Sequence, residues 1–66
     1  MQIQVNGKPQ QLDHPLNLTQ LIEHLGLKPD RCAVERNRVL VKRAAWADTL
    51  VQEDDQIEIV QFVGGG

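Results

Sequence analysis

With seven Lys and Arg against nine Asp and Glu, the 66-residue chain has a formal net charge of −2 and lacks the concentrated basic footprint that nucleic-acid binding requires. A domain of this size buries only about 60% of the surface its unfolded chain exposes, so its core is thin and leaves little room for a cavity that excludes water from a substrate. Composition therefore favours a binding or carrier module over a self-contained enzyme.

The opening "MQIQVNGKPQQL" alternates Ile3 and Val5 with Gln2 and Gln4 and then reaches Asn6-Gly7. A type I′ turn needs positive φ at both central residues, and Asn-Gly supplies it, so a first hairpin is predicted over about Gln2 to Leu12. Pro9 removes a backbone donor and places the second strand at an edge. Next, Leu18, Leu21, Ile22 and Leu25 recur at i, i+3, i+4 and i+7, one face of an α-helix. Asn17 with Gln20 three residues on forms a capping box, Leu16 is placed to staple onto Leu21, and Gly26 stands where a left-handed C-cap belongs, with Leu27 folding back.

"KPDR" reads as a turn, and "CAVERNRVLV" as two short strands around Arg36-Asn37. "RAAWADTL" carries a short helical turn, the acidic "EDD" a further turn, and "QIEIVQFV" a closing strand. The order β-β-α-β-β-β, two hairpins flanking one amphipathic helix, predicts an α+β domain with a mixed sheet of four to five strands packed on that helix, the β-grasp arrangement. Residues 1–63 form this domain and 64–66 a flexible glycine tail. The helix covers one face of the sheet and leaves the other to solvent or to a partner.

Few side chains suggest chemistry. His14, His24 and Cys32 have no zinc- or iron-site spacing, so no metal site is expected. His14 belongs to a loop and His24 to the exposed side of the helix. Cys32 is most simply a small strand residue, with a redox or sulfur-accepting role as the alternative. Being the single cysteine it has no internal disulfide partner, and no signal-like or membrane-spanning stretch is present, which points to the cytoplasm. Trp46 reads as core or rim packing and Glu53, Asp54 and Asp55 as a solvated turn. No catalytic Ser/His/Asp or Cys/His set can be assembled. In the last strand Ile57 and Ile59 share one face, and Glu58, Val60 and Phe62 the other. Val60 and Phe62 either lie under loops or form an exposed apolar partner surface.

The chain then runs into Gly64, Gly65 and Gly66. Glycine adds nothing to a core, and the bland account is an unstructured stump. Three extended residues nevertheless reach about 10 Å, and a tail without side chains can thread into a narrow active site of another protein. A carboxylate there is a poor electrophile. Adenylation with ATP would give it a leaving group, and sulfur delivered to the adenylate would leave a nucleophilic thiocarboxylate on Gly66.

The ordered set "AVERN", "AAWADTLV" and "DQIEIVQFVGGG" on a β-grasp pattern resembles the ThiS family of sulfur carriers in thiamine biosynthesis, over essentially the whole chain. The resemblance implies a ubiquitin-like carrier that is not an enzyme and binds no cofactor. It implies adenylation of Gly66 by an E1-like, ThiF-type adenylyltransferase that uses ATP, sulfur from a donor such as a cysteine desulfurase, and delivery to a ThiG-type thiazole synthase. The related reading is the MoaD-like small subunit of molybdopterin synthase, and from a different class, a non-catalytic ubiquitin-like interaction module working through Val60 and Phe62. One position departs from the family: its usual Gly-Asp before the last strand is Asp54-Asp55 here, which bears on the turn geometry.

Overall fold

The computed structural model describes residues 1–62. Strands β1 (Gln2–Val5) and β2 (Lys8–Gln11) form the first hairpin, followed by helix α1 (Leu18–His24). A 3₁₀ turn over Pro29–Arg31 leads into β3 (Cys32–Arg36) and β4 (Val39–Val41), and a second over Arg43–Asp48 precedes β5 (Gln56–Gln61). The sheet order is β2-β1-β5-β3-β4, with β1 and β5 parallel and the other pairs antiparallel. The first and last strands thus lie side by side at the centre, in the β-grasp arrangement expected from the sequence.

Local chemistry explains the elements. Asn6 and Gly7 adopt φ of 52° and 80°, the pair of positive angles a two-residue I′ turn demands, and Val5 faces Lys8 across it. Pro9 sits on the edge strand β2, where its missing N–H breaks no ladder. The Asn17 side chain accepts from the Gln20 amide at 2.8 Å while the Gln20 side chain accepts from the Asn17 amide at 2.9 Å, closing the predicted capping box. Helix α1 stops at Gly26, whose φ of +78° lets its amide reach Glu23 O and the Leu27 amide reach Ile22 O.

Leu18, Leu21 and Ile22 of α1 are fully buried against Ile3, Val34 and Ile57 of the sheet, and Leu16 and Leu25 pack at the margin. Trp46 closes one end of this core at 2% exposure, its indole N–H donating to Val41 O at 2.9 Å. That is the packing role expected of it, since a buried indole needs an acceptor. The segments before and after the core elements are tied together where Leu18 N donates to Thr49 O and Val51 N to Leu16 O.

Two expectations are corrected. The second hairpin turns at Asn37-Arg38, not around Arg36-Asn37: Arg36 is paired with Val39, and Asn37 and Arg38 both have positive φ. Arg is an unusual occupant of that region, and the two-residue loop between paired strands imposes it. The acidic run is the second case. Asp54 does lie in a turn, with φ of +66°, but Asp55 is buried at 5% exposure.

Asn6 and Asp54 both take left-handed backbone angles for different returns. Asn6 continues the β1 edge with its side chain, accepting from Ile59 N at 2.7 Å and donating to Ile59 O at 3.2 Å. Asn6→Gly keeps the allowed angle and loses both bonds, so urea unfolding should show a loss of about 1–2 kcal/mol. Asp54 makes no side-chain hydrogen bond among the described residues, so Asp54→Gly relieves the angle at no such cost. Its urea midpoint should rise, by up to about 1 kcal/mol of stability.

Candidate functional site

Because β5 is central, its two faces and its end define the surface that leads to the glycines. Ile57 and Ile59 turn into the core, while Glu58 and Val60 turn to solvent. Val60 is 58% exposed and Phe62 55%, so the apolar face is open rather than covered by loops. Leu40 of β4 is 63% exposed, and Ala33 is the cross-strand partner of Val60. Together Ala33, Leu40 and Val60 line a shallow depression of about 370 Å³ with Glu35 and Glu58. Pairing with β3 carries past the end of β5, since Phe62 N donates to Arg31 O at 2.7 Å. The sheet therefore holds the chain up to the last described residue; Gly64, Gly65 and Gly66 lie outside the described residues.

The start of β5 is held by a polar knot at the opposite end. The Asp55 carboxylate accepts from Arg36 Nε at 2.7 Å, Gln52 N at 2.8 Å and Asn37 Nδ2 at 3.0 Å. Asn37 in turn accepts from Gln56 N at 2.9 Å through its side chain, and its own amide donates to Gln56 O at 2.8 Å. Burial pushes the Asp55 carboxyl up, but these hydrogen bonds and the Arg36 charge outweigh it and hold the group below the ordinary carboxylate range. The sequence places Arg36 and Asn37 at a turn and assigns neither of them a partner. The turn signal at Asn37 was visible, but its reach to a residue 18 positions later was not.

The remaining candidates fall outside this surface. Cys32 is 4% exposed, and burial pushes its thiol up, with Arg43 opposing and Asp30 adding to the shift. A buried, protonated thiol is a poor nucleophile, so the plain strand reading fits it. His14 and His24 are exposed on a loop and on the outer side of α1. Among the described residues no three His, Cys, Asp or Glu are grouped to hold a metal ion, and no helix is long and apolar enough to cross a membrane.

Comparison with known proteins agrees with this architecture. The model of the ThiS family matches residues 3–66. The chain belongs to the ThiS family. The crystal structure of the ThiS protein from Geobacter metallireducens superposes with a TM-score of 0.85 at 36% identity, covering all of both chains. The sulfur carrier protein ThiS of Escherichia coli is 33% identical over 66 residues, again end to end. A thiazole synthase from Magnetococcus marinus is 44% identical over 66 residues, and the chain spans 20% of the length of that relative. Against the family's usual Gly-Asp, Asp54 occupies the left-handed position that glycine would take, and Asp55 keeps the carboxylate that secures Gln52, Arg36 and Asn37.

Removing the knot should be costly and pH-dependent. Asp55→Ala leaves the Gln52 amide and Asn37 Nδ2 without their acceptor, a loss of about 3 kcal/mol, much of what so small a domain possesses. Because the folded-state value is depressed, the contribution of Asp55 is fully present above the unfolded carboxyl value of about 3.9 and is lost as pH falls through the folded value. Thermal midpoints of wild type and Asp55→Asn should thus differ at neutral pH and converge in acid.

Proposed function

We propose that the chain is a sulfur carrier of thiamine biosynthesis, with Gly66 as the residue that carries the sulfur. The observation that carries this reading is the family match running through Gly66, together with the end-to-end likeness to the Escherichia coli sulfur carrier. Residues 1–63 act as a recognisable handle and Gly64 and Gly65 as the leash. The carrier is a co-substrate, not an enzyme, and none of its side chains acts in catalysis.

The chemistry takes place in partner active sites in the cytoplasm. The Gly66 carboxylate attacks the α-phosphorus of ATP on a ThiF-type adenylyltransferase, releasing pyrophosphate and forming an acyl-adenylate. The persulfide sulfur presented by a donor such as a cysteine desulfurase then attacks the carbonyl carbon and expels AMP, forming an acyl disulfide. A thiol reductant supplies the two electrons that cleave its S–S bond and leave the thiocarboxylate on Gly66. Docking on a ThiG-type thiazole synthase delivers that sulfur to the thiazole ring. ATP is consumed by the adenylating partner, and the carrier holds no cofactor. The small residues of the tail admit it to a narrow site, while Val60 and Phe62, more than half exposed on the strand that leads to it, supply apolar docking area.

Intact-mass spectrometry tests the reading. With ATP, the adenylyltransferase and a sulfur source, the wild-type chain should exchange one carboxylate oxygen for sulfur, and an unchanged mass with active partners would overturn the proposal. A chain lacking Gly66 should stay folded and remain unmodified. Phe62→Asp should retain its fold and bind the partners more weakly, which separates a docking role from the tail chemistry.

A further inference from the structure

The open face of the sheet bears a feature that the tail chemistry leaves unused. Glu35 of β3 and Glu58 of β5 are direct cross-strand partners, both exposed and both on the face away from α1. Directly opposed residues on one face have Cβ atoms about 4.5–5.5 Å apart, and like charges so placed repel and destabilise the pair of strands. Among the described residues the one ion pair is Arg36 with Asp55, so neither carboxylate is neutralised within the fold. The domain thus holds two unpaired negative charges side by side in a depression otherwise lined by Ala33, Val34, Leu40 and Val60. Folding alone gains nothing from this placement.

We propose that the Glu35/Glu58 pair and its apolar surround form the receptor for an arginine side chain presented among apolar residues on thiazole synthase, an inference that rests on the carrier reading. Charge complementarity selects a cation, and the surroundings select which one. A hydrated metal ion needs converging oxygen ligands, and Leu40 and Val60 offer none. A guanidinium is planar, carries five donors that serve two carboxylates at once, and is weakly hydrated, so it tolerates an apolar collar. Thiazole synthase is the partner the observations favour, because a relative of that name contains a segment 44% identical to this entire chain. The depression is also continuous with the proposed delivery route: Val60 of β5 lines it, and two residues later Phe62, just past the end of β5, is the last described residue.

The test compares wild type with the E35Q/E58Q double variant, titrated with thiazole synthase of the same organism at low and at roughly 0.5 M salt. The variant should bind at least about tenfold more weakly at low salt, with the difference narrowing as salt rises. The free variant should melt at a higher temperature than wild type, because the opposed charges are gone. A structural role for the pair would move that midpoint the other way. Equal affinity, a loss that salt does not narrow, a lowered midpoint, or a wild type that does not bind thiazole synthase overturns the inference. Loss of binding to the adenylyltransferase alone overturns it too. The intact-mass assay on the wild-type chain runs without thiazole synthase, so a failed receptor and a failed carrier give different results.

Discussion

The closing strand must find partners for two rows of backbone groups, and the remainder of the structure follows from how it does so. β5 lies between β1 and β3, so strands from the beginning and the middle of the chain must both be in place before it is satisfied. Pairing with β1 is short, through Gln4 with Gln56 and Val5 with Ile57, whereas pairing with β3 spans five residues. Asn6 makes up the deficit on the β1 side: after its strand ends at the turn, its side-chain amide presents the donor and acceptor that Ile59 requires. An unpaired buried backbone group would cost more than such a bond contributes, which is why a turn residue is recruited into the ladder.

A similar economy operates where β5 begins. Asp55 gathers a guanidinium, a side-chain amide and a backbone amide from three different segments, and Asn37 locks onto Gln56 from the neighbouring hairpin. Both asparagines occupy positive φ, so each serves as a turn former and as a long-range clamp. The strand is thereby pinned at its start, along both edges and at Phe62. For the proposed carrier this pinning has a use: the Val60 face proposed for docking lies on the strand that is held at its start by Asp55 and Asn37 and just past its end by Phe62.

The thin core determines where function can reside. Among the described residues, the large apolar side chains on the helix-facing side of the sheet are spent on packing against α1 and Trp46. The opposite face keeps Leu40, Val60 and Phe62 in solvent, alongside two opposed carboxylates. Exposed apolar groups and unneutralised charges both cost a free domain something, and both are recovered when a complementary surface covers them.

Much of this was legible from local chemistry. Asn6-Gly7, the capping box of Asn17 and Gln20, the apolar stripe from Leu18 to Leu25 and the left-handed Gly26 each act within a few residues, so the first hairpin and the helix could be read directly from the sequence. The alternation in "QIEIVQFV" likewise assigned Ile57 and Ile59 to one face and Val60 and Phe62 to the other, and the glycine run with its resemblance to the ThiS family pointed to the tail. Tertiary structure alone decided that Val60 and Phe62 are uncovered, that the second hairpin turns at Asn37-Arg38, and that Asp55 is buried while its neighbour Asp54 is not. It alone brought Glu35 opposite Glu58. These outcomes depend on strand register and on contacts between residues many positions apart, and a local pattern of polar and apolar residues carries no information about which distant group will arrive to satisfy a charge.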